Sequence, residues 1–371
     1  MSQPTSPKLS IPEDYRDLTS DFLTQVVRTC HPRVTVEAFE VIEAKHFGEI
    51  MVSTSDRLKM RLTYGPGAPE TLPTQVCIKM KRSRDAVLGE LYANETAFYV
   101  RLRSSLDIEA PAVVGGICDS QSALYYLLLE DLSLRGATFP NALSQNSLGD
   151  VQAVLDEFAK LHAKFWESPQ LHSNLSWYQS HITGPLSEQL YNHVPVAIQE
   201  NLDTYEFFRE IFGQLNASLL RMRDGYRALQ QHQARLPQTI LHGDGHIGNS
   251  YLLPTGQAGL LDFQLSVKGA WIHDVSYLIV TGLPVEGRRQ HERELLAYYL
   301  DRLEANGVSN PPTLEEAWEE YRKAIYWTLY LGWLPTDAVN YGEALTKENL
   351  RRTSTAFADH DSGGRVFLLL D

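Results

Sequence analysis

Asp244, Asn249 and Asp262 have the types and spacing needed to move a phosphoryl group. Asp244 and Asn249 lie in the Gly-rich run His242-Gly-Asp-Gly-His-Ile-Gly-Asn249. Their D-x-x-x-x-N spacing is one in which the aspartate accepts a hydroxyl proton and the asparagine holds magnesium. Asp262, in Leu-Leu-Asp262-Phe-Gln, offers the same ion a carboxylate. Magnesium is a hard cation that takes oxygen ligands and keeps several waters, so one carboxylate and one amide oxygen suffice from the protein once ATP phosphates complete the shell. Glycine, aspartate and asparagine also dominate ordinary turns. The reading therefore depends on what stands around the loop.

Several elements must position these groups. Thr239, Ile240 and Leu241 form a short strand that anchors the loop, and Gly243, Gly245 and Gly248 permit sharp turning. A hairpin through Tyr251-Leu252-Leu253, Pro254-Thr255-Gly256 and Gly259-Leu260-Leu261 returns the chain antiparallel and brings Asp262 back beside Asn249. Upstream, Leu58, Met60, Leu62 and Tyr64 alternate before Gly65-Pro66-Gly67, which predicts a half-buried strand and a turn. A second strand, Gln75 to Met80, puts Val76, Ile78 and Met80 on one face and Gln75, Cys77 and Lys79 on the other. A helix over about 86–102 follows, with Leu88, Leu91, Phe98 and Leu102 on one stripe and Glu95 inside it. A carboxylate on an apolar stripe needs a cation, and Lys79 is the nearest candidate in the chain's logic. Lys81 is its rival in the basic run 79–84. The order of strand, lysine, helix with inward glutamate, buried strand and Asp/Asn loop favours Lys79 as the phosphate-facing cation. Cys77 then either roofs an adenine or is a plain buried cysteine.

The continuous apolar run Leu124 to Leu129 predicts a strand buried on both faces. Its polar exit makes Glu130 and Leu132 hinge positions whose backbone groups can pair with adenine. Val151, Leu155, Phe158, His162 and Phe165 then mark a long amphipathic helix, on which His162 reads as a core histidine rather than a ligand. Farther on, Trp318, Tyr321, Tyr326, Trp327, Tyr330 and Trp333 crowd a helix that starts with the capping box Thr313-Leu-Glu-Glu316. These aromatics either fill the core or line a pocket for a flat, largely apolar alcohol. The run Glu315, Glu316, Glu319 and Glu320 reads as a solvated face, not as the converging carboxylates a polycationic acceptor would require.

Composition narrows the classes. The chain has 371 residues, 43% hydrophobic and 21% charged, which is ordinary globular composition with room for two lobes. A net charge of −13 argues against nucleic acid or an anionic membrane as main partner. Cys30, Cys77 and Cys118 are scattered without a CxxC pair, so neither a disulfide framework nor a structural zinc site is indicated. No signal-peptide core or membrane span is read, and the expectation is a cytoplasmic protein with no obligate protein partner. Residues 1–11, rich in Pro and Ser, are expected to be disordered, and no internal repeat is visible.

The run His242 to Asn249 followed by Leu-Leu-Asp262-Phe-Gln resembles the aminoglycoside phosphotransferase and choline kinase superfamily. Asn94-Glu-Thr-Ala-Phe98-Tyr99, Leu129-Glu-Asp-Leu132, Leu161-His-Ala-Lys-Phe-Trp166 and His273-Asp-Val-Ser-Tyr-Leu278 resemble its ecdysteroid-kinase-like branch. The likeness covers about residues 40–335. It implies an α+β, bilobal, protein-kinase-like fold. Residues 12–130 would form a small nucleotide-binding N-lobe with an antiparallel sheet and one helix, and 131–371 a larger, mainly helical catalytic C-lobe. It implies ATP bound between the lobes with Lys79, Glu95, Cys77, Glu130 and Leu132, Asp244 as catalytic base, and Asn249 and Asp262 on magnesium. Asp274 would buttress the catalytic loop. The phosphate-covering segment, His46 to Met51, departs from the pattern in having one glycine. Two other readings remain: a metal-dependent phosphohydrolase using His242, Asp244 and His246, and a catalytically silent pseudokinase that binds nucleotide.

Overall fold

Alternation of apolar side chains shapes the first part of the chain. The computed structural model describes residues 11–45, 55–81 and 86–370, so the segment His46 to Met51 lies outside the described residues, as does the 1–11 tail apart from Ile11. The described chain divides into two compact units, one of residues up to Ser104 with Ala112–Asp131, the other of Ser105–Pro111 with Leu132 onward.

In the first unit, helix α1 (Ser20–Arg28) precedes strands β1 (Val36–Lys45), β2 (Ser55–Tyr64) and β3 (Gln75–Lys81), helix α2 (Ala86–Arg101), and strands β4 (Val113–Asp119) and β5 (Leu124–Glu130). The strands make one antiparallel sheet in the order β1-β2-β3-β5-β4. As the alternation predicts, Leu58, Met60, Leu62, Val76, Ile78 and Met80 are buried in one core. Each such aliphatic side chain contributes about 1.5–3 kcal/mol on leaving water. Helix α1 is an addition to the single helix expected here. Thr19 caps it by accepting the Phe22 amide, and Phe22, Leu23, Val26 and Val27 pack into the same core. Its nine residues are too short for periodicity to stand out from the polar flanks.

The second unit is mainly helical. Its helices α3 (Leu148–Phe165), α4 (Pro185–Thr204), α5 (Glu206–Gly213) and α6 (Leu219–Gln233) precede strand β6 (Gln238–Ile240), the hairpin β7 (Ser250–Leu252) and β8 (Ala258–Leu260), and β9 (Lys268–Ala270). Helices α7 (Ile272–Gly282), α8 (Val285–Ala305), α9 (Leu314–Trp327), α10 (Ala338–Tyr341), α11 (Glu343–Asp359) and α12 (Ser362–Phe367) complete it. Residues 105–111 belong here because Glu109 is tied on three sides. Its amide donates to Glu157 at 2.6 Å, its carbonyl accepts from the Leu260 amide at 2.9 Å, and its carboxylate pairs with Arg135 at 2.7 Å. Every residue of α7 is buried, the polar His273, Asp274, Ser276 and Thr281 included. The capping box at Thr313 is formed, and α9 passes directly into a π-helical turn over Thr328–Trp333.

Candidate active site

The loop bearing Asp244 is clamped from behind. Strand β6 pairs with β9 and delivers the chain at Leu241, whose amide donates to the Val267 carbonyl at 2.8 Å. Gly243 then takes a φ of 83°, and a Cβ there would stand 1.9 Å from the Leu265 carbonyl oxygen, so only glycine fits. Asp274, in the first turn of α7, is fully buried and accepts the backbone amides of His242 at 2.6 Å and Gly243 at 2.9 Å. His162 of α3 donates Nε2 to the same carboxylate at 3.1 Å, and its Nδ1 lies 2.8 Å from the Tyr299 hydroxyl. His162 is thus a satisfied core histidine. Burial pushes the Asp274 carboxyl up, but the hydrogen bond from His162 and neighbouring imidazoles hold it below the usual carboxylate range.

In front of this clamp the geometry is looser. Asn249 donates Nδ2 to both the carbonyl and the Oδ2 of Asp244, each at 2.9 Å. That leaves its amide oxygen, the atom a hard cation takes, on the opposite side. The Asn249 carbonyl accepts the Leu261 amide at 2.8 Å, and this ties the end of the β7–β8 hairpin to the loop and brings Asp262 alongside. Asp262 adopts left-handed backbone angles of φ 61° and ψ 63°. An amide oxygen and a carboxylate are a donor set that suits magnesium. Asp244 is 9% exposed, and burial, with Asp262 nearby, pushes its carboxyl up to about 6 against the opposing pull of His242 and Asn249.

The histidines around the loop are already committed. The Leu261 carbonyl can only accept, so His242 donates Nε2 to it at 2.6 Å and its Nδ1 accepts the Asp244 amide at 3.3 Å. His246 accepts the Gly248 amide on Nδ1 at 3.1 Å and turns Nε2 towards Asp244, 3.8 Å away. Burial holds His246 down to about 4. Neither ring keeps a lone pair for a metal, and the described residues contain no group of three His, Cys, Asp or Glu that could hold one.

Beside Asp244 opens a cavity of about 140 Å³, walled by Trp327, Leu331, Trp333, Tyr277 and Tyr341 among others. Of the six aromatics in the α9 region, Trp327 and Trp333 line it, while Tyr321, Tyr326 and Tyr330 are core. Gly332 matters because a Cβ there would meet the Tyr277 hydroxyl at 2.5 Å. Burial and the nearby Asp244 carboxylate keep the Tyr277 phenol protonated. Tyr277 is a pocket residue that sequence reasoning missed, although it stands three residues after Asp274, one helical turn along α7. The acidic run lies elsewhere: Glu315 pairs with Arg293, Glu319 with Arg322 at 3.0 Å and Arg365 at 2.7 Å, and Glu320 with His232 and Lys323 at 2.7 Å each.

Within the first unit, Lys79 on β3 and Glu95 on α2 form a buried ion pair at 2.6 Å, with side chains 7% and 1% exposed. Lys81 instead meets the exposed Glu13 at 3.2 Å. Cys77 lies opposite Leu129 in the β3–β5 register, and burial pushes its thiol up. Glu130 ends β5 with its amide donated to the Ala112 carbonyl at 2.9 Å. Leu132, the first residue of the second unit's main segment, packs with Tyr251 and Leu253.

Comparison with solved structures shows what this fold is similar to. The choline kinase of Cryptosporidium parvum Iowa II matches with a TM-score of 0.53 and 10% identity, over 88% of this chain and 89% of that one. The ethanolamine kinase of Plasmodium vivax matches with a TM-score of 0.52 and 9% identity, over 86% of this chain and 81% of that one. At such identities the likeness establishes a protein-kinase-like fold. No curated protein sequence matches the chain. The model of one family, described as ecdysteroid kinase-like, matches residues 90–307, more than half of the sequence. With a kinase-like fold around the Asp244 loop and that match across it, the chain belongs to the ecdysteroid kinase-like family.

Proposed function

We propose that this protein transfers the γ-phosphoryl group of ATP, with magnesium, to a hydroxyl of a small and largely apolar alcohol. The observation that carries this reading is Asp244, a buried carboxylate held by Asn249 at the edge of an aromatic-walled cavity. The acceptor hydroxyl gives its proton to Asp244 as its oxygen bonds to the γ-phosphorus, and the bond from that phosphorus to the β-bridging oxygen breaks to release ADP. Asn249 and Asp262 are the residues that would hold the metal, which when bound neutralises charge on the phosphates. Lys79, paired with and oriented by Glu95, serves as the phosphate-facing cation. Cys77, Glu130 and Leu132 are the adenine-side positions in this reading. Asp244 is the sole carboxylate among the described residues that line the cavity, which favours an uncharged acceptor over a polycation.

The committed ring nitrogens of His242 and His246 argue against a phosphohydrolase built on them. The test is ADP release with magnesium and ATP against steroid, aromatic, amino-alcohol and aminoglycoside acceptors, with Asp244→Asn alongside. Acceptor-dependent ADP that vanishes in the variant supports the reading. ATP binding without consumption across the panel favours a pseudokinase. Lys79→Ala is expected to weaken ATP binding and turnover together, each by tenfold or more, about 1.4 kcal/mol per factor of ten.

A further inference from the structure

Asp244 is held from within its own loop by Asn249, and also by a side chain from another element. Tyr277 stands on α7, three residues after Asp274, and lines the same cavity as Asp244. Its phenol hydrogen-bonds to the Asp244 carboxylate and stays protonated, so it keeps the hydrogen that it donates. Asn249 donates Nδ2 to Oδ2 of the same carboxylate at 2.9 Å. A carboxylate held by one donor can still swing about its Cβ–Cγ bond, where the torsion is soft. A second donor from outside the loop removes that freedom.

The phenol is itself fixed in place. Tyr277 is 2% exposed, its ring centre lies 5.6 Å from that of His246, and Gly332 of the π turn lies against its hydroxyl. A Cβ at Gly332 would stand 2.5 Å from the hydroxyl oxygen and 2.8 Å from Cζ, so any side chain there would push the phenol off its site. Gly332 is not among the glycines with positive φ. The space taken by Tyr277, not the backbone, is therefore what asks for glycine at 332. Thr336 pins the turn by donating Oγ1 to the Gly332 carbonyl at 2.7 Å.

We propose that Tyr277 is a positioning residue for the base: its hydroxyl, seated by Gly332, holds the Asp244 carboxylate in the orientation that receives the acceptor's proton. The proposal rests on the phosphotransferase reading above and adds how the base is aimed. A carboxylate offers about four lone-pair sites, so Asn249 and Tyr277 together still leave room for the acceptor hydroxyl. The phenol keeps its own proton throughout, and the proton of the acceptor goes to Asp244. A misplacement of about 1 Å in such a group can cost about 10²-fold in rate. Substrate affinity need not change with it.

The experiment uses the full chain with 13C at Cζ of its tyrosines, the Tyr277 resonance being the one lost in Tyr277→Phe. Asp244→Asn puts a neutral amide in place of the carboxylate, and the Tyr277 resonance is expected to move. A resonance that stays overturns the contact and the proposal with it. ADP release in magnesium and ATP is read with benzyl alcohol as acceptor and with water alone. Tyr277→Phe is expected to lower kcat about ten- to a hundredfold. KM for ATP and for benzyl alcohol should stay within about twofold, as for a contact that matters only in the transition state, and the melting temperature should stay level. Gly332→Ala keeps the hydroxyl but displaces it, so it should move the Tyr277 resonance, lower kcat in the same way, and add little on top of Tyr277→Phe. Unchanged kcat in Tyr277→Phe overturns the proposal, as does a loss that comes only with a lowered melting temperature, the mark of a structural role. A Tyr277 resonance that answers to Asp244→Asn in a protein that releases no ADP with either acceptor upholds the hold on Asp244 and counts against phosphoryl transfer instead.

Discussion

Two aspartates on either side of one loop show how the second unit treats buried charge. Asp274 is completely buried, yet two backbone amides and His162 hold its carboxyl below the usual range. Asp244 is slightly more exposed, but only the Asn249 amide and the Tyr277 phenol reach it with hydrogen bonds, no backbone amide among the described residues does, and its carboxyl rises to about 6. Burial alone therefore does not set the charge; the number of donors aimed at it does. The region behind the loop spends its donors on fixing a backbone. The region in front leaves a carboxylate with fewer donors and a raised proton affinity, which suits the proposed role of Asp244 as base.

The widest separation between the two is expected from Asp244→Asn and Asp274→Ala. Asp244→Asn removes the proposed base and should lower kcat by about 10²–10⁴, while the melting temperature stays level or rises, because a buried charge is lost. Asp274→Ala should instead strand two amides and an imidazole and cost about 3–5 kcal/mol of unfolding free energy, read by urea titration. Wild-type stability in that variant would break the comparison.

Smaller effects sharpen it. His162→Phe keeps a ring in place but leaves the Tyr299 hydroxyl and one face of Asp274 unpaired, with an expected loss of about 1–3 kcal/mol and little change in KM for ATP. The smallest effect is in pH. Turnover should fall as pH drops through about 6, where Asp244 takes up its proton, and His246, held down to about 4, stays neutral across that range. The folded state binds this proton more tightly than the unfolded chain. The stability that charging Asp244 costs is therefore absent at low pH and appears as pH rises from the ordinary carboxylate range through about 6. In Asp244→Asn this component of the pH dependence of unfolding should be missing.

Much of the arrangement was legible because it is local. Asp244 and Asn249 lie in one loop, and the Pro-Thr-Gly turn between two apolar triplets announces the hairpin that returns Asp262. Period-two burial exposed β2 and β3, and a glutamate on an apolar stripe called for a cation before Lys79 was seen to meet it. What stayed hidden depends on distant pairing or on irregular winding. Lys268-Gly-Ala has no periodicity to mark β9 as the partner of β6. The π turn at Thr328–Trp333 has no sequence signature, though it carries Leu331, Gly332 and Trp333 into the cavity lining. His181 and His273 are far apart in sequence, and only folding brings their ring centres to 5.6 Å of one another.

Asp262 carries a different consequence. Its left-handed backbone, φ 61°, is one that glycine adopts freely and that costs other L-residues about 1–2 kcal/mol. Backbone comfort and chemistry therefore pull in opposite directions at this one position. A library of variants sorted only for heat resistance is expected to drift to glycine at 262, and one sorted for ADP release to keep the acid. The divergence between the two sorted pools would measure how much strain this chain tolerates to keep a carboxylate there.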